Sequence, residues 1–168
     1  SQGSTLGMTS VDIEREADQF ASYLLMPIDD FRAQVGTHRM TLDVMGRCAH
    51  RYGVSLTAAI LKWIDFTEQP AVVVMAREGM LHWWRASSGA KKYAFAALRE
   101  GTELPSRSLA VDPTMAVSTS DYRVGVEHAK GVWFADAAVR EMVVVSDRYD
   151  MTISLLLQTF SKERKFIQ

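Results

Sequence analysis

The chain has 168 residues, of which 48% are hydrophobic and 23% charged, and its formal net charge is −1. This composition is typical of a globular protein with room for one substantial core or two small ones. No apolar run approaches the roughly 18 residues that span a bilayer, which excludes a transmembrane protein. The balance of 19 basic against 20 acidic residues argues against a surface devoted to nucleic acid. The single cysteine, Cys48, excludes an internal disulfide framework and a cysteine-based zinc knuckle, and we expect a cytoplasmic protein.

The first periodic segment begins near Ser10, which is a suitable N-cap. Apolar side chains from Ile13 to Leu24 recur at the spacing of an amphipathic helix. Pro27 cannot continue that helix, because it lacks a backbone N–H and clashes with the preceding turn. The pattern therefore predicts a first helix that ends before Pro27.

Three further helices are predicted before residue 67. They cover residues 28–35, 42–52 and about 56–66. Gly36 and Gly53 come directly after the first two of these helices, as is common where a helix ends in a left-handed residue. Ser55 is a plausible N-cap for the third.

After Pro70 the sequence becomes rich in β-forming residues. Runs at 71–75 and 80–84 predict a hairpin, and residues 90–99 predict a helix that ends at Gly101. Later strands are predicted at 115–118, 122–127, 132–135 and 142–146. Residues 151–160 fit strand or helix, and we favour strand for the first half.

These elements predict an α+β fold: an N-terminal helical subdomain of about four helices, then a mixed, mainly antiparallel β-rich region with one or two helices. We place a domain boundary at residues 67–70. Residues 1–69 then form the helical part, and residues 70–168 form a C-terminal region.

Glu14 and Asp18 lie four residues apart on the first predicted helix, so they share one face beside its apolar stripe. A carboxylate in this position could reach a metal held by a neighbouring helix, and the second acid could orient a ligating histidine. A solvated helix face explains the same spacing. The spacing alone leaves both interpretations open.

The surrounding sequence, Glu-x-x-Ala-Asp-x-Phe-Ala-x-x-Leu-Leu-Met-Pro over residues 14–27, resembles the second zinc helix of the ImmA/IrrE family of metallopeptidase-like regulatory proteins. The resemblance continues through Ala-x-x-Tyr-Gly-Val-Ser at 49–55 and covers residues 12–66. It implies that Glu14 is the third zinc ligand of the intact site and Asp18 its companion. The other two ligands and the general base of the family come from a His-Glu-x-x-His helix upstream.

No His-Glu-x-x-His occurs in this chain. Its four histidines are followed by Arg, Arg, Trp and Ala: His38, His50, His82 and His128. A lone carboxylate cannot hold Zn²⁺, which takes three or four protein ligands. We therefore expect the chain to be catalytically inactive and without bound zinc. It is either a C-terminal piece of a longer peptidase or a natural variant that has lost the chemistry.

A helix-turn-helix DNA reader offers another interpretation of residues 49–55. Its second helix would have to bury residues 59 and 62, and Lys62 is a poor fit to a buried position. If Lys62 is exposed instead, the exposed side of the helix presents Thr57 and Lys62 but no arginine that could bind guanine edges. We expect no DNA-binding residues in this chain, and contact with DNA only through an upstream module.

Two other pairs of residues invite functional interpretations. Cys48 and His50 diverge by about 200° around a helix, so they cannot chelate one ion, and Cys48 is expected in the core. Alternation along a strand should send Trp83 and Trp84 to opposite sides. An exposed tryptophan here could stack a ligand or partner, but we favour a hairpin face that the helical part covers.

The family resemblance implies a parent protein that cleaves or regulates transcription factors, with Zn²⁺ as its cofactor. Mixed strands with paired aromatics suit a sensing or protein-contact role for residues 70–168. Apolar surface beside Glu14, bare without its covering helix, would favour a homodimer. The alternative is a regulatory ligand-sensing or dimerisation domain without peptidase chemistry. No contact with a membrane is expected.

Overall fold

A computed structural model describes residues 26–112, 114, 121–146 and 150–160. The helix predicted from Ser10, with Glu14 and Asp18, lies outside the described residues, and so does the strand predicted at 115–118. In the described part of the chain, no helix has the length and apolar character needed to cross a membrane.

Three helices come after Met26: α1 (Ile28–Val35), α2 (Leu42–Tyr52) and α3 (Leu56–Phe66). The Thr41 hydroxyl accepts a hydrogen bond from the Val44 N–H at 3.3 Å, which caps α2. The Ser55 hydroxyl caps α3 in the same way, accepting from the Ala58 N–H at 3.0 Å. All three predicted helices are confirmed.

One antiparallel sheet of five strands follows these helices, in the order β2-β1-β5-β4-β3. Its strands are β1 (Ala71–Arg77), β2 (Met80–Ala86), β3 (Val126–His128), β4 (Ala138–Ser146) and β5 (Met151–Thr159). The predicted hairpin is confirmed, and residues 151–159 are strand throughout. Helices followed by an antiparallel sheet confirm the α+β fold class.

Four predicted elements differ from the structure, and one of them is the strand predicted at 142–146, which begins earlier, at Ala138. The helix at 90–99 is shorter, α4 (Lys91–Ala97), because Leu98 has extended backbone angles. Residues 122–127 do not form one strand but divide into a short helix, α5 (Asp121–Val124), and β3. The strand at 132–135 is replaced by turns with a single bridge between Phe134 and Ala137, where apolar side chains pack without a neighbouring strand.

The sheet is buried on both faces. Alternate residues of β1 and β5, such as Val73 and Leu155, pack against α1, α2 and α3. The intervening residues, such as Val72 and Leu156, pack against α4 and the loops around Leu104 and Phe134. The helices and one sheet face thus share a continuous apolar cluster, and the domain boundary at 67–70 stays a prediction.

Gly125 separates α5 from β3 and has a φ of +103°, which favours glycine. A Cβ here would lie 2.6 Å from Arg140 Cγ and 3.1 Å from the Glu141 carbonyl oxygen. We expect Gly125→Ala to lower the free energy of unfolding by about 2 kcal/mol or more, from strain and overpacking. Urea denaturation measures this change.

Gly46→Ala is the matched control, because a Cβ at this helical position meets nothing within 4 Å. It should raise stability by about 0.5–1 kcal/mol, since alanine favours helix over glycine. Equal free energies of unfolding for the two variants would contradict the close approach at Gly125.

Candidate functional site

The predicted zinc-site residues, Glu14 and Asp18, lie outside the described residues, so the structure does not show whether they approach any other group. The described chain starts shortly after them, at Met26, which is fully buried, and α1 begins two residues later. Three polar arrangements can be built from the described residues, and one of them lies in the helical part that continues the family-like segment.

Asp30 on α1 binds two consecutive residues of α2. The Arg51 side chain donates to its carboxylate from Nε at 3.0 Å and from Nη2 at 3.2 Å, and the Tyr52 hydroxyl donates as well. The bond from Arg51, and then that from Tyr52, lowers the pKa of Asp30. Burial, and then the bond to Asp30, raises the pKa of Tyr52 to about 12. This cluster joins the two helices, and Tyr52 also stacks on Phe31.

Loss of the Asp30 charge should change the acid stability of the protein. Because the folded-state pKa is lowered, the stabilisation is present above the carboxyl's ordinary pKa of 3.8 and is lost as the pH falls through the folded-state value. We expect Asp30→Asn to flatten the pH dependence of unfolding below pH 3.8. Its exposed neighbour Asp29 provides the control, Asp29→Asn, which should leave that dependence in place. If the stability of the wild type and of Asp30→Asn fell in the same way with pH in acid, the bonds from Arg51 and Tyr52 to a charged Asp30 would not stabilise the fold.

The second arrangement surrounds Glu141 of β4, whose side chain is fully buried. Its Oε1 accepts from His128 Nε2 at 2.9 Å and from the Leu109 N–H at 2.9 Å. Its Oε2 accepts from the hydroxyls of Ser108 at 2.8 Å and Ser154 at 2.9 Å. Each carboxylate oxygen therefore has two donors, which is how a buried charge is tolerated.

This second arrangement contains a serine, a histidine and an acid, but not in the order that acyl transfer requires. In a catalytic triad the histidine lies between the serine and the acid. Here the acid lies between, because Ser108 and His128 both donate to Glu141. The Ser108 oxygen also accepts from the Ala110 N–H at 3.1 Å. The cluster therefore joins the 108–110 turn and the end of β3 to β4. It does not activate a nucleophile.

Arg140, on the opposite face of β4, forms the third arrangement. Its Nη2 donates to the carbonyl oxygen of Met40 at 2.6 Å, and its Nη1 donates to that of Val124. Burial, and then repulsion from Arg39, lowers the pKa of Arg140. The side chain thus holds the sheet against the segment that precedes α2 and against the end of α5.

Neither Glu141 nor Arg140 is among the sequence-predicted site residues. Both precede the strand predicted at 142–146. A pair of adjacent charges is far more common on a surface than in a core, so the pair does not predict a buried strand. The observed strand begins earlier, at Ala138. The only sequence signal is that the apolar run that follows these two charges also precedes them, at residues 137–139.

Other predicted positions have mixed outcomes. Cys48 is buried and His50 exposed, so they face different ways as predicted, and burial raises the pKa of the Cys48 thiol. Trp83 and Trp84 pack against different faces of the sheet, also as predicted. The prediction that Lys62 lies on an exposed helix side is wrong, because the residue is only 4% exposed within α3.

Within the described ranges, no group of three or more His, Cys, Asp or Glu side chains is arranged to hold a metal ion. The sequence as a whole also lacks the His-Glu-x-x-His pair of imidazoles. The side chains of the described residues therefore offer no set that fits a zinc ion, which needs at least three protein ligands. No zinc-dependent step can be assigned to them.

Residues 9–63 match the family model of the IrrE N-terminal-like domain of the M78 peptidases. The matched range includes Glu14 and Asp18, all of α1 and α2, and most of α3. A search of curated proteins finds no match. The family match confirms the resemblance of residues 9–63 to the ImmA/IrrE family of metallopeptidase-like proteins.

Proposed function

We propose that the chain is the distal part of a zinc-metallopeptidase-like regulatory protein, in which Glu14 is the third zinc ligand and Asp18 its companion. The observation that carries the proposal is that the family match includes both acids while the sequence has no His-Glu-x-x-His. In this proposal, the two imidazoles come from a segment outside these 168 residues. By itself the chain is inactive as a peptidase.

The chemistry of zinc supports this division of the site. A single carboxylate at about 2.0–2.2 Å leaves the ion two ligands short, so the affinity of the isolated chain is too low to retain zinc. An acid one helical turn after the ligand can bind the outer nitrogen of a ligating histidine and fix its orientation. Glu14 and Asp18 have that spacing.

In the same proposal, residues 70–168 sense an effector or contact a protein partner, and the parent protein works in the cytoplasm on a transcription regulator. The buried clusters of Glu141 and Arg140 support a rigid scaffold for such a role, because they fix loops on both faces of the sheet. Self-association through the apolar surface beside Glu14 belongs to the proposal as well, and light scattering tests it.

The absence of His-Glu-x-x-His favours a second candidate: a regulatory ligand-sensing or dimerisation domain of the same family without peptidase chemistry. The two candidates differ in what the natural gene encodes. In the first candidate, the product of the gene carries two histidines that complete the zinc site, and it holds about one zinc ion per chain. In the second, the product holds none.

Elemental analysis after dialysis distinguishes the two candidates. We expect the 168-residue chain to retain no stoichiometric zinc and the product of the complete open reading frame to retain about one ion. A zinc-free product would overturn the peptidase proposal in favour of the second candidate. One zinc per 168-residue chain would show that side chains of this sequence form a site on their own, and the division of ligands would be wrong.

A further inference from the structure

One edge of the sheet already accepts an additional piece of strand. β2 is the edge strand, and residues 101–104 pair with its first half. The Leu81 N–H donates to the Thr102 oxygen at 2.7 Å, and the Gly101 N–H donates to the Leu81 oxygen at 2.7 Å. The chain itself thus shows that this edge can accept an antiparallel strand.

The second half of β2 directs backbone groups towards the same edge. The Ser87 N–H donates to the Ala71 oxygen at 2.8 Å, so hydrogen bonds to β1 recur at every second residue before Ser87. The intervening residues, Trp84 and Ala86, therefore point their N–H and C=O groups away from β1. Within the described residues, no backbone hydrogen bond to these outward groups is found.

An open groove with a volume of about 450 Å³ lies at this position. Its lining includes Trp84 and Ala86 of the strand, and Phe95 of α4 on one side. The Phe95 ring meets Trp84 edge to face at 5.1 Å and is 61% exposed. Aromatic surface beside outward backbone groups is the combination that strand-addition sites use.

Charges define the rest of the groove. Lys91 and Glu100 line it near Phe95, and on the other side Arg85 binds Asp65 at 3.3 Å. Side chains of an added strand alternate between these two sides. On the side of Phe95, the added strand would place an apolar residue, with an acid and a base two residues away from it. On the side of Arg85 and Asp65, it would place small polar residues.

We propose that this groove binds an extended peptide segment of a partner protein, which adds to β2 opposite Trp84 and Ala86. The segment has a large aliphatic residue against Trp84 and Phe95, flanked two residues away on each side by one acidic and one basic residue. A second copy of β2 is a poorer occupant, because antiparallel pairing centred on Arg85 would set two arginines directly opposite each other.

Two labelled heptapeptides test the proposal: Thr-Glu-Thr-Ile-Thr-Lys-Thr and its counterpart with Glu and Lys exchanged. We expect one of them to bind the 168-residue chain with a dissociation constant below about 1 mM, as measured by fluorescence anisotropy. The backbone amide NMR signals of Trp84 and Ala86 should shift on binding. N-methylation of the isoleucine, which removes the N–H directed at the edge, should abolish binding.

Phe95→Ser should weaken binding about tenfold, because it removes the exposed aromatic ring. Met80→Ser is the matched control: Met80 is exposed on the same strand but lies outside the groove, and its variant should bind normally. Three outcomes would overturn the proposal. They are no binding of either peptide, equal binding of the N-methylated form, and a dimer in light scattering that Phe95→Ser dissociates, which would identify a second copy as the occupant.

Discussion

Glu141→Ala is expected to lower the free energy of unfolding by about 4 kcal/mol or more, which is exceptional for a single substitution. The change leaves the buried donors of Ser108, His128 and Ser154, and the half-buried N–H of Leu109, without their acceptor. Each unsatisfied buried donor costs about 1–3 kcal/mol. Urea denaturation monitored by circular dichroism measures the loss.

Because a loss of this size approaches the whole stability of some domains, a milder variant is needed. Glu141→Gln keeps the size of the side chain and one acceptor oxygen, but its amide group faces donors, so we expect an intermediate loss. Glu103→Ala, at an exposed site, should stay within about 0.5 kcal/mol of wild type. If Glu141→Ala behaved like Glu103→Ala, Glu141 would not be the acceptor that fixes these loops.

Arg140→Ala is expected to lower the free energy of unfolding by about 3 kcal/mol. Two hydrogen bonds from a charged donor, to Met40 and Val124, are lost, while the relief of a buried charge offsets part of that loss. The amide of Gly125, which donates to Asp121 at 2.6 Å, should exchange faster with solvent, because α5 loses its attachment to the sheet. Hydrogen exchange by NMR detects this local effect.

The exposed Arg123 provides the control for Arg140. It pairs with Asp43 at 3.6 Å on the surface, so Arg123→Ala should cost less than about 1 kcal/mol. Unchanged exchange at Gly125 in Arg140→Ala would show that Arg140 does not hold α5 against the sheet.

The helices were predictable because several local signals agree at each end. Thr41 and Ser55 are hydroxyl N-caps, and Gly53 adopts the left-handed conformation that ends α2. The hairpin of β1 and β2 was predictable because two β-rich runs flank Gly79, whose positive φ suits glycine. The positive φ of its neighbour Glu78 is not a conformation that glutamate favours, so the pairing of the strands contributes to that part of the turn.

The missed elements depend on contacts between distant residues. The apolar run at 132–135 looks like a strand, yet Trp133 and Phe134 are buried by packing beneath the sheet without pairing as one. Arg140 and Glu141 look like surface charges, and only partners far along the chain make their burial tolerable. Sequence patterns do not report such partners.

The candidate zinc site depends on sequence resemblance and the family match rather than on local geometry. Glu14 and Asp18 have the spacing of many solvated helices, and the surrounding residues 14–27 distinguish the family from that alternative. The sequence does not supply the position of the two missing imidazoles. The proposal is therefore best tested at Glu14, the zinc ligand that it assigns to this chain.

Zinc affinity of the complete open reading frame product, measured for Glu14→Gln and for Glu16→Gln, is that test. Both residues belong to the same predicted helix, but only Glu14 occupies the ligand position of the family motif. We expect Glu14→Gln to lose stoichiometric zinc, Asp18→Ala to weaken binding about 10–100-fold, and Glu16→Gln to bind as wild type. Wild-type zinc binding by Glu14→Gln would contradict the assignment of Glu14 as the third ligand.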